Sequence, residues 1–181
     1  MTVLGSCLFD TALGRCGIAW SDHGVVRLHL PERDERQTLT RLRERSPEPQ
    51  QQEPPDFARD AIAQIVGLLH GQPLDLNGIP VDLRELPLFQ RRVYVAARGI
   101  GVGQTRTYGE IARQISAPGA ARAVGQALGN NPVAIIVPCH RVLAAGGRIG
   151  GFSAQGGVTT KRKLLAIEQA ACSSQLQMPL R

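Results

Sequence analysis

Three residues with reactive or charged side chains stand together at Cys139, His140 and Arg141, directly after Pro138 and the apolar run 133–137 (VAIIV). A thiol attacks carbon as its thiolate, and a neighbouring base or cation favours that form. The group is therefore a candidate nucleophilic site, with His140 as the base and Arg141 as the cation. We expect the apolar run to be a short buried strand. A cysteine after such a strand is also commonly structural, so this pattern alone leaves both interpretations open.

Glu168 is a candidate for a partly buried carboxylate on the last helix. On the last helix, Leu164, Leu165 and Glu168 follow one another at spacings that place them on one side. Because that side is apolar, we expect it to face inward and to leave Glu168 partly buried beside a partner. The alternative is a surface charge near the end of the helix.

Two short helices are predicted upstream of the cysteine. Thr107 and Glu110 have the spacing of a capping box, and residues 108–115 then form an apolar helix face. Residues 116–119 (SAPG) predict a turn before a second helix over 120–128, which has small side chains around a single Arg122. Such a surface allows close approach to another helix or to the wall of a nucleic-acid groove. Arg122 favours the groove, and the pair of helices predicts a helix-turn-helix.

We interpret the N-terminal half as a scaffold without a reaction centre. Turn signals separate three short apolar stretches within the first thirty residues, which predicts an antiparallel meander. The further elements expected are an exposed helix over 32–45, a proline-rich mobile loop over 46–56, a helix from Phe57 to near Gly71, a returning strand over 80–83 and a helix over 88–97.

Charge is divided unevenly along the 181 residues. Residues 1–90 hold 9 Lys/Arg and 13 Asp/Glu, a balance of −4, whereas residues 91–181 hold 12 and 2, a balance of +10. A basic half beside an acidic half indicates a polyanionic partner or, alternatively, a solvated basic face. No apolar run has the length of a membrane span, and residues 1–9 lack signal-peptide features. We therefore expect a cytoplasmic protein that contacts no membrane.

The four cysteines show neither a CxxC pair nor the spacing of a disulfide framework. Cys7, Cys16, His23 and His29 could meet around zinc, but their spacing matches no structural zinc pattern. We therefore expect no metal site, and strand-borne cysteines of this kind usually fill the core.

Residues 131–142 (NPVAIIVPCHRV) resemble the active-site signature of the methylated-DNA–protein-cysteine methyltransferases, also called 6-O-alkylguanine-DNA alkyltransferases. Asn131 stands eight residues before Cys139, and the run 121–125 (ARAVG) precedes both. The resemblance is strong over about residues 87–169 and loose over the N-terminal meander. It favours a reactive Cys139 over a structural one.

The resemblance implies an α+β fold with two domains. Residues 1–85 would form a scaffold with a small N-terminal antiparallel sheet and helices, similar to ribonuclease H. Residues 86–181 would form a mostly helical domain that contains the helix-turn-helix, binds DNA and carries the alkyl acceptor.

The resemblance also implies a reaction and roles at the acceptor. The methyl group of 6-O-methylguanine would pass irreversibly to Cys139, once per protein molecule. His140 and Glu168 match a relay in which a water connects the imidazole to the thiol, and Asn131 matches a brace of the active-site turn. The implied partner is double-stranded DNA containing 6-O-alkylguanine, bound from the minor groove by a monomer. No cofactor is implied, because the damaged base is the methyl donor.

The remaining roles concern the DNA. Arg122 matches the residue that fills the space left by the extruded base, and Tyr108 matches one that helps to rotate the nucleotide. Ser153 and Phe152 match contacts to the guanine, and we group Arg141 with these DNA-contacting residues. Many relatives have Tyr where this chain has Phe152, so a phenolic hydrogen bond is absent and the preference for particular alkyl groups is open.

Two alternative functions remain from the residues themselves. The chain could be a DNA-binding module whose Cys139 is inert. It could also be a cysteine hydrolase that uses Cys139 and His140, although no oxyanion-loop motif is recognisable. A permanent gain of alkyl mass on Cys139 would separate the three functions.

Overall fold

The N-terminal part of the chain folds around a three-stranded antiparallel meander. The structure is a computed structural model and describes residues 3–43 and 52–176. The strands β1 (Gly5–Thr11), β2 (Gly14–Ser21) and β3 (Gly24–His29) pair in the order β1-β2-β3. This confirms the meander predicted from the alternating apolar stretches.

One helix covers each face of this sheet. Helix α1 (Glu35–Arg43) packs closely on β2, because a Cβ atom at Gly17 would lie only 2.6 Å from the Leu42 side chain. The predicted helix over 32–45 thus begins at residue 35, where the Asp34 carboxylate accepts a hydrogen bond from the backbone of Gln37. It is also less exposed than predicted, since one side is buried against the sheet.

Helix α2 (Asp56–Leu69) covers the other face through the apolar spacing read from the sequence. The proline-rich segment predicted as a mobile loop lies largely outside the described residues, and its last residue, Asp56, begins this helix. The strand predicted over 80–83 is reduced to a single parallel bridge between Val25 and Val81. The prediction of a full strand there was wrong, because only one residue pairs with the sheet edge.

The C-terminal part is mostly helical. It contains α3 (Leu88–Arg98), β4 (Arg106–Thr107), α4 (Tyr108–Gln114), α5 (Ala121–Gly129), β5 (Val142–Leu143) and α6 (Val158–Leu176), with β4 and β5 paired in parallel. The predicted capping box at the start of α4 is present, with both reciprocal hydrogen bonds between Thr107 and Glu110. One continuous apolar core runs from the meander and α2 to α3, α4 and α5. The expected domain boundary at residues 85 and 86 falls just before α3 and stays a prediction.

The apolar run 133–137 is buried, but it is a turn and not the strand that we predicted. The backbone amide of Ile136 donates to the carbonyl of Ala134 at 2.8 Å, and that of Val137 donates to the carbonyl of Val133 at 2.9 Å. Ile135 has a φ of +69°, an uncommon conformation for a β-branched residue. A short apolar run indicates burial without determining backbone conformation, which explains the error.

Within residues 3–43 and 52–176, no helix combines the length and the apolar character needed to cross a membrane.

Candidate active site

Cys139 lies on a short turn that Asn131 braces from the side. Residues Cys139–Arg141 form one turn of 3-10 helix, and the cysteine is 7% exposed. The Asn131 side-chain amide donates to the carbonyl of Val137 at 2.8 Å and to the Cys139 sulfur at 3.4 Å. Its side-chain oxygen accepts from the backbone amide of Val133 at 3.0 Å. These three contacts join both ends of the buried turn to the sulfur atom.

The edge of the N-terminal sheet supports the same turn. The Leu28 backbone amide in β3 donates to the carbonyl of Pro132 at 2.9 Å, and the Ala134 amide donates to the carbonyl of Leu28 at 3.1 Å. The sheet is therefore hydrogen-bonded to the segment that follows Asn131. The N-terminal half thus contributes directly to the shape of the site.

His140 is completely buried and pairs with Glu168 on α6. The Nε2 atom of His140 lies 2.9 Å from Oε1 of Glu168, which is 2% exposed. Glu168 faces inward beside a partner, as its helical spacing predicts. Burial alone would raise the pKa of Glu168, but hydrogen bonds and charges from His140 and Arg141 outweigh it and lower the pKa to about 2. The carboxylate is therefore ionised at neutral pH.

The protonation of His140 follows from this partner. Burial lowers the pKa of the imidazole, and the Glu168 carboxylate only partly opposes that effect. A neutral imidazole next to an ionised carboxylate carries its proton on the nitrogen that faces the carboxylate, which is Nε2. Nδ1 is then the acceptor nitrogen. It is buried and has no hydrogen-bond partner among the described residues.

Lys161 on α6 is a functional candidate that the sequence analysis missed. Its side chain is fully buried, and its Nζ atom donates to the carbonyl of Val142 at 2.6 Å and lies 5.9 Å from the centre of the Tyr108 ring. Burial raises the pKa of the Cys139 thiol, whereas the Asn131 hydrogen bond and the Lys161 charge lower it. In the sequence, Lys161 stands in the run 161–163 (KRK), which resembles a solvated basic face.

A cavity of about 360 Å³ opens above the sulfur. This volume lies in the range typical of small-molecule sites. Tyr108 lies between two glycines, since a Cβ atom at Gly150 would be 3.1 Å from its hydroxyl and one at Gly125 would be 3.8 Å from its ring. The cavity lining brings together several residues predicted for the site with others from α5 and the loop before α6: Tyr108, Gly125, Leu128, Gly129, Cys139, Gly151, Phe152 and Ser153.

Arg141 does not lie on the surface, which corrects its placement among the DNA-contacting residues. The residue is 4% exposed, and its guanidinium donates to both oxygens of Glu168 and to the carbonyl of Ile100. An arginine within a basic half was expected to face the polyanion. The buried Glu168 carboxylate binds it instead.

Arg122 is exposed in the first turn of α5. Helices α4 and α5 pack on each other and are joined by the turn predicted over 116–119, which includes Ser116 and Gly119 at positive φ. The arrangement is a helix-turn-helix whose second helix presents small side chains around one free-standing cation.

The described parts of the chain hold no group of three or more His, Cys, Asp or Glu side chains placed to bind a metal ion. All four cysteines are free thiols.

Comparison with known proteins points to one family. The profile of the 6-O-methylguanine DNA methyltransferase DNA-binding domain matches residues 88–170. The chain is 42% identical over 158 residues to a methylated-DNA–protein-cysteine methyltransferase from Mycolicibacterium paratuberculosis, an alignment that covers 82% of this chain and 89% of that protein.

Solved structures extend this similarity over nearly the whole chain. The structure of Mycobacterium tuberculosis OGT in complex with DNA superposes with a TM-score of 0.71 at 37% identity, covering 93% of this chain and 94% of the other. The 6-O-methylguanine-DNA methyltransferase from Pyrococcus kodakaraensis gives a TM-score of 0.68 at 25% identity, with coverages of 91% and 98%.

Proposed function

The chain belongs to the methylated-DNA–protein-cysteine methyltransferase family, and we propose that it repairs duplex DNA by moving the methyl group of 6-O-methylguanine irreversibly onto Cys139. One observation carries this proposal. Cys139 lies at the base of a cavity of about 360 Å³, with the Asn131 brace on one side and the buried His140–Glu168 pair behind it. A nucleophile, a proton acceptor and space for a ligand thus occur together.

The chemistry is a single displacement at the methyl carbon. The Cys139 sulfur forms a bond to that carbon while the bond between the carbon and the guanine oxygen breaks, and the electron pair of the broken bond passes to the base. The thiol proton moves through a bridging water toward Nδ1 of His140, which is the nitrogen left free by the bond to Glu168. Return of a proton to the base completes an unmodified guanine. The protein keeps a thioether, which is a poor leaving group, so each molecule reacts once.

Access to the base requires that it leave the helical stack. The oxygen-linked methyl group of a stacked guanine is out of reach of a sulfur atom that is almost completely buried. We propose that α5 enters the minor groove, where its small side chains permit close approach, and that Arg122 fills the space of the extruded base. The cavity then receives the base beside Tyr108, Phe152 and Ser153.

The test is the mass of the peptide that contains Cys139 after incubation with an excess of duplex carrying 6-O-methylguanine. We expect one added methyl group per protein molecule, on Cys139 alone. Cys139→Ser should bind the duplex and leave the lesion in place, whereas Cys7→Ser, at a half-buried cysteine of β1, should transfer normally.

Three other results would contradict the proposal. Binding without a change in mass would indicate a DNA-binding module, and turnover without a change in mass would indicate a hydrolase. A methyl group on Cys7, Cys16 or Cys172 would place the acceptor elsewhere.

A further inference from the structure

We propose that Arg141 is a positioning residue of the methyl-transfer site, which holds the Glu168 carboxylate against His140 and shares its negative charge, so that the buried imidazole stays neutral and able to accept a proton. This inference rests on the proposed function, in which His140 receives the thiol proton. It assigns Arg141 a role inside the relay instead of on the DNA surface.

The contacts of the guanidinium fit a fixed orientation. Nε of Arg141 donates to both oxygens of Glu168, at 3.1 and 2.9 Å, and Nη2 donates to Oε1 at 2.8 Å. Nη1 donates to the carbonyl of Ile100 at 2.5 Å, which anchors the far side of the group. A planar guanidinium can satisfy a carboxylate and a carbonyl together, whereas the ammonium of lysine is a point charge without that fork.

The carboxylate itself is held from three directions. Besides His140 and Arg141, the backbone amide of Gly103 donates to Oε2 of Glu168 at 3.3 Å. Only Oε1 is in contact with the imidazole, and Arg141 binds that same atom. His140 and Arg141 therefore compete for the negative charge on the same oxygen, Oε1 of Glu168.

The balance of buried charge explains why this competition matters. His140 faces Glu168 and Lys161 from α6, and Arg141 and Cys139 from its own turn. With a neutral imidazole, the charges of Arg141 and Glu168 cancel. A protonated imidazole would add an uncompensated positive charge in a site that already holds Lys161, and burial penalises such a charge. Burial, together with the Arg141 and Lys161 charges, lowers the pKa of His140, and Glu168 opposes them.

Removing the guanidinium should therefore shift protonation in a known direction. His140 would then be the only charged or protonatable partner left to Glu168, beside the Gly103 amide, so the imidazolium would be stabilised. A higher pH would be needed to obtain the neutral base. The expected shift is about one pH unit, the lower end of what one neighbouring charge produces. The acidic limb of the pH–rate profile for transfer should move to higher pH by a similar amount.

The experiment follows the His140 imidazole by NMR in the full chain as pH is varied, for the unmodified protein, Arg141→Lys and Arg141→Met. Single-turnover transfer from a saturating duplex that carries 6-O-methylguanine is measured over the same pH range. We expect the unmodified imidazole to titrate below its ordinary value of about 6.5. Both variants should titrate higher, with the larger shift in Arg141→Met, and the acidic limb of the rate profile should move with them. Arg36→Met, which removes an exposed arginine of α1, should change neither curve.

These measurements separate the inference from the proposed function. Methyl mass on Cys139 tests the function, whereas the imidazole titration needs no activity. An unmodified His140 that titrates above its ordinary value would overturn the inference even if neither variant folds. Folded variants whose imidazole titrates at the same pH as in the unmodified protein would also overturn the inference. Weaker duplex binding with an unchanged pH–rate profile would overturn it as well, because it would indicate that Arg141 contacts DNA.

Discussion

At the scale of single residues, opposing effects on one sulfur atom control the reactivity of Cys139. Burial raises the pKa of the thiol because a thiolate would lose its hydration. The Asn131 amide and the Lys161 charge act in the other direction. They come from two separate segments, the brace before the turn and the helix α6. The fraction of thiolate therefore depends on how these segments are packed as well as on the proposed imidazole relay.

Arg122 provides the residue-scale prediction for DNA. Arg122→Ala should slow methyl transfer from a duplex by on the order of tenfold or more, while transfer from free 6-O-methylguanine stays nearly unchanged. The reason is that a duplex must be unstacked, at a cost of a few kcal/mol that the free base does not incur. Single-turnover rates on both substrates measure the difference, with Arg113→Ala as a control that removes an exposed charge of α4. Equal slowing on both substrates would point instead to a role in folding or in the cavity.

Part of the site follows from the sequence at this scale. The helical spacing of Glu168 indicated an inward-facing carboxylate, and the resemblance of residues 131–142 to the family signature implied that Asn131 and His140 gather around Cys139. Lys161 was missed, and Arg141 was misplaced on the DNA surface, for a common reason. Both are cations in a basic half. Only the packed structure shows that Lys161 is buried against a backbone carbonyl and Arg141 against a buried carboxylate. Local sequence carries no record of such distant acceptors.

At the scale of elements, the start of α4 positions Tyr108 over the cavity. The helix begins with a capping box, in which the Thr107 hydroxyl accepts from the Glu110 amide at 3.2 Å and the Glu110 carboxylate accepts from the Thr107 amide at 2.6 Å. Tyr108 is the first residue of that helix and touches the glycines of α5 and of the loop before α6. Stability of this helix end therefore bears on the shape of the cavity.

The capping box yields the element-scale prediction. Thr107→Ala should lower the free energy of unfolding by about 1 kcal/mol, because the Glu110 amide loses its side-chain acceptor. Urea unfolding measures the change. Thr40→Ala is the matched control, since Thr40 is an exposed residue inside α1 whose hydroxyl donates to the carbonyl of Arg36, and it should leave stability almost unchanged. A similar loss in both variants would show that the cap contributes nothing specific.

Helices and strands whose apolar residues recur with a clear period were predicted well, and segments without such a period were not. The meander, α2, α3 and the α4–α5 pair follow from alternation or helical spacing with turn residues between them. The run 133–137 has no period, and its turn depends on Asn131 and on pairing with Leu28, which lies far away in the sequence. The segment 80–83, expected to be a strand, forms one bridge for a related reason. The length of a strand depends on how many of its residues pair with a neighbouring strand.

At the scale of the whole molecule, the division of charge is the dominant feature. The first 90 residues have a balance of −4 and the remaining 91 a balance of +10, although Arg141 and Lys161 are buried and cannot meet a phosphate directly. The exposed cations of the C-terminal half include Arg106, Arg122, Arg148, Arg162 and Lys163. Contacts of this kind bind the DNA backbone and carry little information about base sequence.

The whole-molecule prediction concerns salt. Affinity for duplex DNA should fall steeply as salt rises from about 50 to about 200 mM, because bound cations displace counterions from the phosphates. It should change little when the base sequence around the lesion is altered. Fluorescence anisotropy with labelled duplexes measures both dependences. Affinity that is indifferent to salt would mean that the basic half is only a solvated face.

The bonds between β3 and the segment after Asn131 have a consequence for how the molecule is made. Leu28 emerges from the ribosome long before Pro132 and Ala134, its hydrogen-bonding partners, so the part of the β3 edge at Leu28 stays unpaired while more than a hundred residues are synthesised. Contacts between distant positions form slowly, and an open edge invites pairing with other chains in the meantime. The proposed acceptor site also includes Glu168 and Lys161 from the last helix. A nascent chain therefore forms most of its scaffold early and the proposed acceptor site last, so that a product truncated before α6 would hold Cys139 without the groups proposed to activate it.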